Sequence, residues 1–181
     1  MGLQFKIYEH TITLQKDNYD VCHEFSRDFI VGLVENLGIN GIRNGVLKHF
    51  DALKCAEARN NIAPIYMKMI TGLPGEMVAM PFDHAGCANI PVCSLILFQD
   101  FESGELQHSM ITTADNEWTG ANNSMSMGTG YEVLLSGEYI NGVYKIPNMS
   151  QRVIAKSGWD RNMLHSALGK KYIMYYVPLL K

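Results

Sequence analysis

The stretch from residue 91 to residue 98 has the sequence PVCSLILF, and it decides the predicted fold. After Pro91 the chain is apolar at almost every position, without the alternation that marks a strand with one face in water. Such a run is typical of a β-strand that is buried on both faces. We therefore expect Val92–Phe98 to form a strand in the core of the domain.

Further strand signals lie on both sides of this run. Met77–Phe82, Tyr131–Leu135 and Tyr172–Val177 are short, apolar or aromatic segments that end near turn residues. The pair Asn141-Gly142 stands between two short apolar segments, which is the strongest local signal for a tight β-hairpin. Most residues between Thr119 and Gly130 are Gly, Asn, Ser or Met, and this composition predicts a loop.

The first third of the chain has helical periodicity instead. Asp17 is a candidate N-cap, and Gly38 is a candidate helix stop. Apolar residues recur between them at steps of three and four, as on the buried face of an amphipathic helix. These residues are Cys22, Phe25, Phe29, Leu33 and Leu37. A short strand over Leu3–Ile7 precedes this helix.

A second helix is predicted to begin at Asn44. Val46, Phe50 and Leu53 share one of its faces, and Asn60-Asn61 with Pro64 are expected to end it. Helices thus come before most of the strands, and this order indicates an α+β domain with segregated elements. The length of 181 residues fits a single domain over 1–181.

Composition narrows the classes of partner. The net charge is −3, only 18% of residues are charged, and 47% are hydrophobic. This balance excludes intrinsic disorder and argues against a nucleic-acid-binding arm or an anionic-membrane patch. We expect no nucleic acid and no membrane as a partner.

The cysteines and the first residues point to the cytoplasm. Four cysteines in a chain of this length do not make a disulfide scaffold, and we expect them to be reduced thiols. The N-terminal segment lacks the basic and apolar regions of a secretory signal. The longest apolar stretch, Phe29–Val34, is far too short to span a bilayer.

His84, Cys87, Cys93 and His108 are the residue types of a zinc site or of a thiol nucleophile. Zinc sites commonly use close ligand pairs, and the H-x2-C-x5-C spacing here has no second pair. A nucleophilic cysteine needs an electropositive, partly exposed setting, whereas Cys93 lies inside the buried run. We therefore predict no metal site and regard these cysteines as buried thiols.

Glu132 is a carboxylate within a strand pattern, Tyr131–Leu135. Burial of an unpaired carboxylate costs several kcal/mol. Glu132 is therefore expected either to face solvent or a cleft, or to have a partner. An ordinary solvated position on the sheet stays open as the simpler alternative.

The segment from residue 130 to residue 146, GYEVLLSGEYINGVYKI, resembles the final motif of the mono-ADP-ribosyltransferase family, which has members in toxins and phages. In that family an [E/Q]-x-E-x-[VIL]-L strand precedes a short turn and a further strand. Upstream, Pro64–Lys68, Leu73–Val78 and Met80–Phe82 resemble the family's Tyr-Arg-Gly strand, its Gly-x-x-Val strand and the start of its Phe-x-Ser-Thr-Ser motif.

The resemblance implies an α+β fold with a mainly antiparallel, split sheet, and NAD as the substrate. Glu132 would be the catalytic carboxylate that stabilises the oxocarbenium-like transition state. Lys68 would place a positive charge near the diphosphate. His84 would contact the ribose or orient the catalytic acid, and Phe82 or Tyr131 would pack on the nicotinamide. The implied activity is ADP-ribosyl transfer or NAD hydrolysis.

The chain departs from the family pattern at three places. Met67 or Lys68 stands where the family has its phosphate-binding Arg, Asp83–Gly86 stands where Ser-Thr-Ser is expected, and Gly130 replaces the first acid or amide of the [E/Q]-x-E pair. A divergent active enzyme and an inactive site that only binds are both open. The alternative is a non-catalytic binding or assembly module of viral or mobile-element type, which acts through protein–protein contacts. The sequence does not fix the oligomeric state.

Overall fold

The computed structural model describes residues 2–57, 59–72, 78–81, 89–121, 138–140, 142–146, 158–160, 163–165 and 171–181. Three α-helices lie in these ranges: α1 (Cys22–Leu37), α2 (Asn44–Cys55) and α3 (Arg59–Ile70), with a 3-10 turn at Ile39–Gly41. The strands are β1 (Gln4–Ile7), β2 (His10–Thr13), β3 (Met80–Pro81), β4 (Ser94–Asp100), β5 (Leu106–Ala114), β6 (Glu117–Ala121), β7 (Glu138–Ile140), β8 (Val143–Ile146), β9 (Gly158–Asp160), β10 (Met163–His165) and β11 (Lys171–Pro178).

The strands form one small and one large sheet, and every described pairing is antiparallel. β1 and β2 make a two-stranded hairpin. The large sheet has the order β7-β8-β6-β5-β4-β11-β10-β9, and β3 also pairs with β11. The prediction of an α+β domain with an antiparallel sheet is confirmed at this level.

The predicted core strand is β4, in the middle of the large sheet. Its first five residues, Ser94–Phe98, are all buried. β5 and β11 flank it, with Phe98 opposite His108 on one side and opposite Met174 on the other. A central position explains the apolar run, because both faces of this strand are covered.

Helix α1 packs against the β1–β2 hairpin and against β5. Phe5 of β1 meets Phe25 and Phe29 edge to face, with ring centroids 5.7 and 5.8 Å away. Gly32 allows close approach, because a Cβ at this position would lie 2.8 Å from the carbonyl oxygen of Thr13. The predicted apolar face is confirmed, apart from half-buried Leu37.

Of the two predicted ends of α1, the C-terminal end is confirmed and the N-terminal end is wrong. Gly38 ends the helix with φ +74°, as expected of a C-terminal glycine. The prediction of Asp17 as the N-cap is wrong: the N-cap is Val21, which makes no side-chain capping hydrogen bond. Tyr19 explains the late start, because its buried hydroxyl accepts the N–H of Lys16 and donates to Asp28.

Helix α3 is the main correction to the predicted elements. Asn60-Asn61 and Pro64 were expected to end a helix, and Pro64–Lys68 to match a strand, yet all lie within α3. Ile62, Tyr66 and Met69 are buried at helical spacing. Their burial outweighs the hydrogen bond that Pro64 cannot donate.

The hairpin predicted at Asn141-Gly142 is confirmed. Ile140 pairs with Val143, so two residues connect β7 to β8, and Gly142 has φ +77°. The predicted loop begins too early, because Thr119–Ala121 belong to β6 and are buried. The predicted strand Tyr131–Leu135 lies outside the described residues. In the described part of the chain, no helix is long and apolar enough to cross a membrane.

Candidate functional site

Of the five predicted site residues, the structure describes Lys68. It lies on α3, and its side chain is exposed. The other four lie outside the described residues: Glu132, Phe82, His84 and Tyr131. That they form one site with Lys68 stays a prediction. The exposed ammonium fits a point charge toward an anion, without the planar, bidentate grip of an arginine.

A buried polar cluster joins α1, α3 and β5. His23 Nδ1 lies 2.8 Å from Ser109 Oγ, and Ser26 Oγ donates to the same Ser109 oxygen at 3.0 Å. The hydroxyl of Tyr66 donates to the backbone carbonyl of His23 at 3.3 Å. All four side chains are buried, so these hydrogen bonds fix how the helices sit on the sheet.

The same cluster has the composition of a nucleophilic site. Cys22 Sγ lies 3.6 Å from His23 Nδ1, at the first turn of α1. A thiol beside an imidazole at a helix N-terminus is the setting in which cysteine is activated. Cys22 and His23 are both fully buried, however, so a substrate does not reach them in this structure. The pairing of Cys22 with His23 was not predicted from the sequence; the signal for it is that Cys22, His23 and Ser26 interrupt a helix face that is otherwise apolar.

A second set of buried polar side chains connects the segment before α1 to the middle of α1. Tyr19 Oη donates to Asp28 Oδ2 at 2.6 Å, and the Arg27 guanidinium bonds to Asp28 Oδ1 and to the carbonyl oxygen of Ala56. Burial and then the neighbouring Asp28 carboxylate raise the pKa of Tyr19 well above its usual value. The tyrosine therefore stays a neutral donor. Its hydrogen bond to Asp28 stabilises the packing of the segment before α1 against this helix.

Cys93 is a buried thiol, as the sequence predicted. It has no exposed surface, and burial raises its pKa to about 12. A thiol with this pKa is not ionised at neutral pH and does not act as a nucleophile. Within the described ranges, Cys22, Cys55 and Cys93 form no disulfide bond, and no cluster of three or more metal-ligating residues occurs.

An open groove lies between α3 and the end of the β4–β5 turn, and we call it the α3 groove. One wall consists of Ala63, Pro64 and Met67, and the other consists of Gly104–Gln107. Its volume is about 730 Å³, which is within the range of ligand sites in proteins. Leu106 is buried, Met67 is half-buried and Pro64 is exposed, so the groove offers apolar surface to solvent.

A smaller cavity of about 340 Å³ lies at the start of α2. Arg43, Gly45, Val177 and Lys181 are among its lining residues. The Arg43 guanidinium already donates to the carbonyl oxygen of Leu180 at 2.8 Å, and the Arg43 N–H donates to Leu179. These bonds fasten the end of the chain to the start of α2.

Comparisons with protein-family models, with curated proteins and with solved structures find no match to this chain.

Proposed function

We propose that the chain is a non-catalytic binding module that docks a segment of a partner protein in the α3 groove. The observation that carries the proposal is the groove itself, an open depression with a partly apolar lining between a helix and a β-turn. Grooves of this kind accept extended or helical segments that insert one or two apolar side chains.

The turn wall of the groove is held in shape before any partner arrives. The Asp100 N–H donates to Glu105 O at 2.8 Å, and the Gly104 N–H donates to Asp100 O at 2.9 Å. Asp100 Oδ1 accepts the N–H groups of Glu102 and Ser103, at 2.9 and 2.8 Å. A preformed wall reduces the conformational entropy that docking costs.

The helical wall combines rigidity with an adaptable contact. Tyr66 and Met69 anchor α3 in the core, so the opposite side of the helix is held at the groove. Met67 presents a flexible thioether there, and methionine adapts to differently shaped apolar partners.

Two further observations favour docking over catalysis. The described group with the chemistry of a nucleophile, Cys22 with His23, is enclosed in the core. Pro64–Lys68, which resembles a strand of the ADP-ribosyltransferase family, is helical in this chain. The NAD-dependent activity at Glu132 stays a prediction.

A displayed library of random 12-residue peptides, panned against the intact chain, tests the proposal. The wild type, Met67→Glu, Ala63→Arg and a matched control, Ile39→Glu, are compared. Ile39 is a large apolar side chain, 63% exposed, and does not line the groove. Thermal unfolding of each variant establishes that it is folded.

We expect enriched peptides that bind the wild type and Ile39→Glu equally, and that lose at least tenfold in affinity to the two groove variants. A charge in an apolar contact leaves either the charge or its partner desolvated, which supports a loss of this size. Failure of the library to enrich any peptide would overturn the proposal. Peptides that bind every folded variant equally would also overturn it, because they would dock elsewhere.

A further inference from the structure

Met67 brings a thioether to the wall of the α3 groove, and a thioether is an apolar group that an oxidant can make polar. We propose that Met67 is a redox modification site: oxidation of its sulfur to the sulfoxide weakens docking in the groove, and reduction of the sulfoxide restores it. This inference concerns the regulation of the groove, so it rests on the proposed docking function.

Helix α3 carries two methionines in opposite surroundings. Met69 packs in the core and has no exposed surface, whereas Met67 is half-buried and lines the groove. Two residues along an α-helix turn the side chain by about 200°, which explains why the two methionines lie on opposite sides of α3. An oxidant in solution therefore has direct access to Met67, and it reaches Met69 only when the helix opens locally.

The other methionines whose side chains the structure describes do not share the position of Met67. Met110 and Met174 have no exposed surface. Met80 on β3 is half-buried but does not line the groove. Of these methionines, Met67 is thus the one at which a change of polarity acts directly on a docked segment.

Hydrogen peroxide supplies the oxygen in the forward step. The sulfur lone pair attacks one peroxide oxygen, the S–O bond forms while the O–O bond breaks, and the second oxygen leaves as water after proton transfer. Sulfur loses two electrons and peroxide gains them. In the reverse step two thiols become a disulfide and the sulfoxide oxygen leaves as water, catalysed by reductases that each act on one sulfoxide epimer.

The added oxygen changes what the groove can bind. The thioether of Met67 adapts to apolar partners, whereas the sulfoxide is a polar acceptor that water hydrates. An apolar anchor that docks against it removes this water and offers no hydrogen bond in return. Docking to the oxidised chain should therefore be weaker than docking to the reduced chain.

Peptide mapping tests the modification without any partner. Trypsin together with a glutamate-specific protease releases Met67 in peptide 60–68 and Met69 in peptide 69–76, so each sulfur is measured separately by mass spectrometry. The intact chain is exposed briefly to hydrogen peroxide, and catalase stops the reaction before digestion. We expect Met67 to be oxidised at least about tenfold faster than Met69 in the folded chain, and the two to react at similar rates in urea.

The effect on docking is measured with a library peptide that binds the wild type but not Met67→Glu, and that contains no Met, Cys or Trp. Its affinity for the wild type and for Met67→Leu is measured by fluorescence anisotropy before and after peroxide treatment. Leucine keeps the apolar volume without the sulfur, and the methionines outside position 67 are the same in both proteins, so Met67→Leu is the matched control. Thermal unfolding establishes that each protein is folded after treatment.

We expect the oxidised wild type to lose about 3- to 30-fold in affinity and to regain it after treatment with both sulfoxide reductases, whereas Met67→Leu keeps its affinity throughout. Equal oxidation rates of Met67 and Met69 in the folded chain would overturn the modification site. Unchanged affinity of the oxidised wild type, or an equal loss in Met67→Leu, would overturn the regulation.

These outcomes are distinct from a failure of the docking function. In each of them the peptide still binds the reduced wild type in the groove, so docking stands and its control by oxidation does not. A library that enriches no peptide overturns the docking function, and the regulation of docking with it.

Discussion

His23 and Ser109 lie 86 residues apart in the chain, yet His23 Nδ1 is 2.8 Å from Ser109 Oγ in the core. This hydrogen bond crosses from the first turn of α1 to β5. Ser26 donates to Ser109, so the Ser109 hydroxyl hydrogen is available to His23. A chain of polar groups thus sets the position of the helix along the strand.

Ser109→Ala should lower the free energy of unfolding by about 1–3 kcal/mol, because it removes an acceptor for Ser26 and a partner of His23. The double variant Ser26→Ala/Ser109→Ala should lose less than the sum of the single variants, since they share one bond. Urea unfolding measures each value. Thr11→Ala, on the exposed side of β2, is the control and should change stability by under about 0.5 kcal/mol. If the losses of unfolding free energy in the two single variants add up to the loss in the double variant, the two serines act independently.

Tyr19→Phe should destabilise the chain by about 1.5–3 kcal/mol, since its hydroxyl donates at 2.6 Å to the buried Asp28 carboxylate, which also contacts the Arg27 guanidinium. The control is Tyr8→Phe, because Tyr8 is 61% exposed. Chemical denaturation of the wild type and of both variants measures the free energies of unfolding to be compared. Equal stabilities would mean that Arg27 alone satisfies Asp28.

Most of α1 could be predicted from the sequence, because its buried residues recur at helical spacing. Helix α3 has the same signal in Ile62, Tyr66 and Met69. It was missed because Pro64 normally ends a helix, and because Pro64–Lys68 also resembles a strand. Local propensity was overridden here by burial against the core, which depends on residues distant in the chain.

Some strands could also be predicted from the sequence, and others could not. β4 and β11 are apolar and were predicted, whereas β5 contains Ser109, Thr112 and Thr113, polar residues that are buried. Their partners come from neighbouring elements: Thr113 Oγ1 lies 2.6 Å from Thr119 Oγ1, on β6. A buried polar strand cannot be recognised by its own hydrophobicity pattern, because tertiary hydrogen bonds offset the cost of its burial.

The α3 groove could not be predicted for a related reason. Met67 and Leu106 belong to segments that the sequence alone does not bring together, and the acidic turn after β4 has the composition of any solvated loop. The groove exists because α3 packs beside β5. Its apolar lining is a property of the tertiary structure.

Alkaline pH should destabilise the chain through Cys93. Burial raises its pKa from the usual value near 9 to about 12, so the folded thiol keeps its proton while the unfolded thiol loses it. Stability from this group is complete below about pH 9 and is lost as the pH rises toward 12.

Between pH 8.5 and 10 the wild type should lose about 1 kcal/mol more than Cys93→Ala, as measured by urea unfolding at each pH. The alanine variant keeps the same φ of +65° at this position, so any backbone strain is common to both proteins. It also loses buried volume at every pH, so the slope with pH is the readout. Parallel slopes would show that the thiol ionises in the folded state.

NAD binding distinguishes the docking function from the resemblance to ADP-ribosyltransferases. For the binding module we expect no change of thermal unfolding temperature in 1 mM NAD, and the same result for Glu132→Gln and Lys68→Ala. If the resemblance holds instead, NAD at 100 times its Kd adds about 2.7 kcal/mol of stability, or roughly 5–10 °C for a chain of this size. Release of nicotinamide that Glu132→Gln abolishes, without loss of folding, would establish the enzyme and overturn the non-catalytic function.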